Sequence, residues 1–399
     1  VSVAAVVFAV VYLGMILGGL PFLRLDRTGV ALLGAIALVA LGALTPEAAA
    51  QSVHLPTILL LFSFMVLSAQ MRLGGFYTWV TLRIAALPLR PAALLAATML
   101  AVAALSAVFS NDVICLAIAP VLADACVRRG VDPVPYLLGL ACAANIGSAA
   151  TLIGNPQNML IGQVLGLPFA GYALEALVPV LAGMAAAWGI IAFRLESKSV
   201  FPKPASPERR EGYASFDRWQ TAKGLAVAAA LMAVFLFTSW PREVAALTGA
   251  GILLMSSRLH SNKMLGLVDW ELLVLFIGLF VVNHAFQATG LAAQALAGVG
   301  SDGPTLFAAT FVLSNVVSNV PAVMLLLPVA TEPFAGPMLA LVSTLAGNLL
   351  IVGSIANIIV VDAARRSGIE IDWRRHARTG VPVTLATLAI TAAWFAVRS

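Results

Sequence analysis

The stretch NIGSAATLIGNPQN, residues 145–158, decides how this chain is read. It lies within an apolar segment at about 134–166, yet it carries Gly, Ser, Thr, Asn and Pro where Ala, Leu and Val surround it. A helix that reaches Asn155-Pro156 cannot simply run on, because proline lacks the backbone donor and its ring crowds the preceding turn. The segment therefore reads as a broken helix. A second apolar segment, at about 337–364, is interrupted in the same manner by NLLIVGSIAN, residues 348–357.

The surrounding composition says what medium holds these breaks. The chain has 399 residues, 61% apolar and 10% charged, with a mean hydropathy of +0.99. An ordinary soluble domain carries about 25% charged residues. A soluble enzyme, a disordered protein and a nucleic-acid binder are excluded on that count, and the lipid bilayer is the expected environment. The net charge of +5 reads as basic cytoplasmic connectors rather than an anionic partner. Cys115, Cys126 and Cys142 lack metal-finger spacing and sit among apolar neighbours, where cysteine acts as a small hydrophobe. No secretory signal with a cleavage site is visible, and the first apolar run is long enough to stay as a helix.

Apolar runs long enough to cross, or partly cross, a hydrocarbon core about 30 Å thick recur along the whole chain. Ala, Leu and Val without period-two alternation argue helices, not barrel strands. The expected fold is an all-α polytopic membrane protein with about ten transmembrane spans, two re-entrant helical hairpins and broken helices at midplane. The stretch at 74–88 carries Arg83 beside Tyr77 and Trp79 and reads as an interfacial helix.

The basic residues assign the sides. Arg24, Arg27, Arg72, Arg83, Arg90, Arg128, Arg129, Arg258, Lys263, Arg365, Arg366, Arg374, Arg375 and Arg378 satisfy the positive-inside rule together if all face the cytoplasm. The charged, Pro-containing linker at 194–220 joins them there, and both termini fall outside. Hairpin 91–127, flanked by Arg90 and Arg128, then opens inward. Hairpin 304–331, flanked by Asp302 and Glu332, opens outward. Two full-length helices with a tight external turn would give the same parity.

The halves also align. Ser106, Ser110, Asn111 and Pro120 match Ser314, Ser318, Asn319 and Pro328 at identical spacing, and a broken segment follows each set. Residues 1–193 and 221–399 read as inverted repeats, an arrangement that secondary transporters use to place a site at the repeat interface. Unwound backbone cannot face lipid, since each unpaired group costs several kcal/mol, so it must line a hydrated cavity. Helix N-termini there suit an anion, and carbonyl ends suit a cation. Small residues at breaks also permit close helix packing on their own. Two matched pairs of such clusters favour a site.

At these residues the chain resembles the ion transporter superfamily, which includes arsenite efflux permeases, NhaD-type sodium/proton antiporters, citrate transporters and divalent anion symporters. FSNDVICLAIAP (109–120), NIGSAATLIGNPQN (145–158), SNVVSNVPAVMLLLP (314–328) and GNLLIVGSIANIIV (347–360) carry the likeness. The resemblance implies that Ser110, Asn111 and Asp112 form the first tip, with Asn145, Gly147, Ser148, Thr151, Gly154, Asn155 and Asn158 at the first break. It implies Ser318 and Asn319 at the second tip, with Asn348, Gly353, Ser354 and Asn357 at the second break. Na⁺ at Ser110, Asn111 and Gly154, and at Ser318 and Asn319, is an expected coupling ion, with H⁺ as the other. Dicarboxylate symporters resemble Ser-Asn-Thr at both tips. Here Asp112 and Val320 stand third, which argues against a two-sodium dicarboxylate mechanism.

Asp112 is the one carboxylate deep within an apolar stretch, and intramembrane acids are functional candidates by default. It reads as the coupling residue for H⁺ or Na⁺, or alternatively as an N-cap of helix 112–127. Gln70 and His284 occupy aligned positions and read as polar contacts at helix ends, whereas Glu175, Asp269 and Glu271 read as solvated.

The expected function is secondary active transport of a small anion or metalloid, arsenite-like or carboxylate, in the inner membrane. An NhaD-type Na⁺/H⁺ antiporter is the alternative. A channel fits poorly with an inverted repeat. No GxxxxGK[ST] or HExxH occurs, so neither an ATP-driven pump nor an enzyme is expected, and no cofactor beyond the coupling ion. A homodimer and an ATPase partner subunit are both compatible with the chain.

Overall fold

The structure, a computed structural model, describes residues 2–20, 23–195, 215–296 and 302–398. Most of the linker at 194–220 lies outside the described residues. Ten helices make up the first half: α1 Val3–Leu17, α2 Arg27–Ala40, α3 Pro46–Ser52, α4 Leu55–Leu73, α5 Phe76–Ala85, α6 Pro91–Ser106, α7 Asn111–Arg129, α8 Pro133–Ser148, α9 Pro156–Val164 and α10 Phe169–Ala192. Ten follow: α11 Arg218–Phe237, α12 Arg242–Leu254, α13 Ser261–Leu265, α14 Trp270–Ala288, α15 Leu291–Leu296, α16 Gly303–Val317, α17 Asn319–Leu326, α18 Ala335–Ala346, α19 Ile355–Arg366 and α20 Trp373–Arg398. Strands Gly19–Leu20 (β1) and Leu25–Asp26 (β2) form a small antiparallel pair, and 3₁₀ turns occupy Leu327–Val329 and Ile351–Gly353.

Among the described residues five helices, α4, α10, α11, α14 and α20, are long and apolar enough to cross a membrane alone. The other apolar helices are shorter because the chain stops them where the sequence breaks. Ser148 and Ala346 end α8 and α18, and Asn155 and Ser354 begin α9 and α19 as side-chain caps. Pro156 occupies the first turn of α9, where its missing N–H costs nothing. Over the stretches read as hairpins the chain forms the consecutive helix pairs α6–α7 and α16–α17. The stretch read as interfacial forms the ten-residue helix α5.

α2 ends at Ala40, and α3 is a separate short helix capped by Thr45 and started by Pro46. α20 begins earlier than its apolar run, because Arg374, Arg375 and Arg378 are carried on its first turns.

The broken helices sit in the middle. α8 packs on α6, α7 and α19, while α18 packs on α16 and α9. All of Pro133–Ser148 except Pro135 is buried, as is all of Ala335–Ala346, although these segments carry Asn, Ser and Thr. Around them stand α4 with α12, α2 with α14, and α10 with α20. Gly278 lets α14 approach the backbone of Ala31 in α2, where an added Cβ would come within 2.8 Å. Small residues allow such close contact between membrane helices.

One expectation fails here. Glu175 is not solvated: it is buried on α10, and its Oε1 lies 3.1 Å from Arg398 Nη2 at the end of α20. A carboxylate buried at a helix–helix seam needs a cation, and the partner lies 223 residues away in sequence. Arg398→Ala should lower stability by about 1–2 kcal/mol, because a hydrogen bond to a charged group is lost and Glu175 stays buried. Glu175→Gln should cost less. Thermal unfolding of the two variants in one detergent compares them, and equal shifts would contradict this account.

Candidate functional site

Asn145, near the end of α8, is the hub of the interior. Its Oδ1 accepts from Ser354 Oγ at 3.0 Å and from Asn111 Nδ2 at 3.3 Å. Its Nδ2 donates to Asn348 Oδ1 at 2.9 Å and to Asn357 Oδ1 at 3.2 Å. One side chain thus joins the first hairpin tip to the second break. All five residues are buried.

Thr344, near the end of α18, makes the reciprocal crossing. Its Oγ1 accepts from Asn155 Nδ2 at 3.2 Å and from Gln157 Nε2 at 3.2 Å, and donates to Asn158 Oδ1 at 3.3 Å. Asn145 lies ten residues before the cap Asn155, and Thr344 lies ten before the cap Ser354. Each therefore reaches from its own broken helix to the cap and third residue of the other one.

The two breaks share their local geometry as well. Asn158 Nδ2 donates to Thr151 O at 3.1 Å, and Asn357 Nδ2 donates to Leu350 O at 2.9 Å, each seven residues back. Gly154 and Gly353 each precede a cap. A Cβ on Gly154 would run into the carbonyl of Ser148, and one on Gly353 would lie 3.1 Å from the carbonyl of Gly347.

Each tip rests on the break of its own half. Asn111 N donates to Gly154 O at 3.2 Å, and Thr151 Oγ1 donates to Ala107 O at 2.5 Å, which together tie the first tip down. Gly147 brings α8 against the backbone of Ala103 in α6. In the second half, Asn319 Nδ2 would lie 3.3 Å from a Cβ on Gly347, and Asn315 Oδ1 would lie 3.4 Å from one on Gly353. Ser318 has φ +79° and ψ 159°, a region open essentially to glycine alone; among the described residues no other non-glycine residue has positive φ.

The N-termini of α7, α9, α17 and α19 meet at this cluster, and each contributes unpaired N–H groups and a partial positive charge. Asn111 Oδ1, Asn319 Oδ1, Asn315 Oδ1 and Asn348 Nδ2 are buried without a hydrogen-bond partner among the described residues. Such groups are costly unless a ligand or water completes them. Oxygens suit a cation or a hydroxyl, and amide N–H suits an anion.

Ser110 caps α7 without a side-chain bond, so the capping role belongs to it and not to Asp112. Asp112 stands one residue into the helix, half-buried, and its carboxylate has no hydrogen-bond or ion-pair partner among the described residues. Ser148 donates to Asn145 O at 2.9 Å and accepts from Asn155 at 3.0 Å, a supporting position within the cluster.

Thr344 and Gln157 were not anticipated. The signal that finds Thr344 is its distance from the cap, since aligning Asn145 with Asn348 conceals it. Tyr172 on α10 also takes part, accepting from Asn158 Nδ2 at 3.1 Å and donating to Ala149 O at 2.7 Å. Gln70 lies away from the cluster, donating to Gln220 O at 2.9 Å.

Comparison with known proteins follows the same outline. A family model described as citrate transporter matches residues 11–346. An uncharacterized transporter of Mycobacterium tuberculosis is 30% identical over 413 residues, covering 94% of each chain. The silicon efflux transporter of Oryza sativa subsp. japonica is 27% identical, covering 98% of this chain and 96% of its own. The crystal structure of the YdaH transporter of Alcanivorax borkumensis superposes with a TM-score of 0.58 at 14% identity, covering 99% of this chain and 96% of that one. It shares the fold.

Proposed function

The chain belongs to the citrate transporter family, CitMHS, and is an integral membrane transporter; from this premise we propose that it moves a small oxygen-rich anion or metalloid hydroxide by alternating access, coupled to H⁺ or Na⁺. The observation that carries this reading is the reciprocal crossing of Asn145 and Thr344, which holds four helix N-termini around buried, incompletely bonded carboxamides. Helix N-termini favour oxyanions, and neutral amides accommodate an uncharged hydroxide equally well. That a relative is named a silicon efflux transporter supports the second kind of cargo, and the family description supports the first.

The reciprocity supports two halves related by a pseudo-twofold axis, with tips Ser110–Asp112 and Ser318–Asn319 facing each other across the site. In this reading the arginine-rich connectors face the cytoplasm, both termini lie outside, and the protein resides in the inner membrane. Asn111 and Asn319 offer carboxamide oxygens to Na⁺. Asp112 carries the coupling proton or ligates Na⁺, its carboxylate being free of competing partners.

Asp112→Asn removes the ionisable group at nearly constant volume. Its expected effect is a loss of H⁺- or Na⁺-driven accumulation in proteoliposomes, with counterflow of the solute retained within about tenfold. Wild-type coupling and pH dependence in this variant would refute the coupling role. The Na⁺/H⁺ antiporter reading is the second one, favoured by the lone Asp112. Collapse of a pH gradient by Na⁺ or Li⁺ alone, without any anion or metalloid, would establish it instead.

A further inference from the structure

A cleft of about 280 Å³ opens at the far ends of α9 and α17, away from the central cluster. It lies between α14 and the start of α4 on one side and Val164 of α9, Met324 of α17 and the following 3₁₀ turn on the other. His54, His284 and Gln287 line it with Asn283, over Phe280 and Leu327. α9 is nine residues long, so the cleft lies roughly 14 Å from the cap Asn155, at 1.5 Å per residue. Two helices that begin at the site therefore end at this cleft.

The chemistry of the lining is specific. His54 Nδ1 is occupied by Thr57, whose N–H donates to it at 3.4 Å and whose Oγ1 lies at 2.9 Å. The ring proton is thereby placed on Nε2. Burial pushes His54 below the usual histidine range, opposed by the field of Glu243 on α12, so the neutral ring is the resident form. Asn283 is engaged, accepting from Tyr12 at 2.9 Å and donating to Leu279 O at 2.7 Å. His54 Nε2, His284 and Gln287 have no hydrogen-bond partner among the described residues. The cleft thus presents side-chain N–H groups that are free to donate, with a volume below the roughly 300 Å³ at which drug-sized pockets begin.

We propose that this cleft is a second binding site, a relay in which His54, His284 and Gln287 hold an oxygen-rich small solute on its way between solution and the central cluster. It rests on the transport reading and names the residues that first receive the solute. The ligand chemistry is that of a hydrogen-bond-accepting oxygen, which a carboxylate or a metalloid hydroxide can supply.

The test uses the full-length protein in lipid nanodiscs with ¹³Cε1-labelled histidine, read by NMR. His54→Gln and His284→Gln assign two of the four histidine signals. Citrate is titrated in one arm and orthosilicic acid in the other. Saturable shifts of the His54 and His284 signals are expected in at least one arm, and they should persist in Asn145→Ala, or in Asn111→Ala if the first variant does not fold. The double variant His54→Gln/His284→Gln should raise KM about tenfold while kcat stays within about twofold. No shift in either arm, shifts lost together with the central asparagine, or an unchanged KM would overturn the relay. Absence of flux in the unaltered protein would refute the transport reading separately, with the shifts still deciding whether the cleft binds.

Discussion

Replacing Asn145 by alanine is expected to reduce transport by about 100-fold or more and to lower the unfolding temperature. The carboxamide makes four side-chain hydrogen bonds, to Asn111, Asn348, Asn357 and Ser354. Each partner is buried, and each buried group stranded without its bond costs about 1–3 kcal/mol. Water admitted to the gap would recover part of this, leaving about 3 kcal/mol, which corresponds to roughly two orders of magnitude. Asn145→Asp separates the contributions. It keeps the acceptor for Ser354 and Asn111 but loses the donor to Asn348 and Asn357, and it adds a charge where four helix N-termini converge. The aspartate variant should fold better than the alanine variant and still transport poorly. Thr344→Val, at the reciprocal position, should show a smaller loss, because one hydroxyl serves Asn155, Gln157 and Asn158 there. Initial rates in proteoliposomes and thermal unfolding of the same preparations decide the point. An alanine variant with wild-type rates would remove Asn145 from the site.

The second large effect belongs to two glycines beneath the first tip. A Cβ on Gly147 would sit within 2.5 Å of Ala103 O and 2.8 Å of its carbonyl carbon. One on Gly154 would lie 2.7 Å from Ser106 O. These obstacles are backbone atoms, which cannot rotate aside, so α6 has to move away from α8. Overpacking of this kind costs about 1–3 kcal/mol, and here it also lifts the tip from its bond to Gly154 O. Gly147→Ala and Gly154→Ala should each abolish transport. Gly189→Ala on α10 is the control: nothing lies within 4 Å of its Cβ position, and alanine is the better helix former by about 1 kcal/mol. Equal behaviour of all three variants in flux and unfolding assays would contradict the role given to the close approach.

Much of this organisation was legible before any coordinates, for a physical reason. Helix interruption in an apolar segment requires Gly, Pro or a capping side chain, and these residue types stand out against Ala, Leu and Val. The helix ends accordingly fall within a few residues of Asn155-Pro156, Gly353-Ser354 and the repeated Ser-Asn pairs. The crossing itself was not legible. Thr344 is one threonine in an apolar run, and its importance arises only when α18 meets the start of α9. Glu175 was misread for the same reason, since its partner Arg398 is distant in sequence. The cap of α7 is Ser110 and not Asp112, a two-residue difference that frees the carboxylate for other chemistry.

Under the alternating access proposed above, the backbone at Ser318 would bear on the energetics of the transport cycle. If two halves with matching breaks exchange conformations during a cycle, perfect likeness would leave the two extreme states equal in energy and equally populated. The first tip turns with Ser110 in ordinary extended geometry, at φ −56°, while the second turns through a conformation that serine disfavours. That difference is of the order of 1–3 kcal/mol. Were the halves to exchange in that way, it would be a bias of roughly 5- to 150-fold on whichever state relaxes the second tip, set by one residue before any solute or gradient acts.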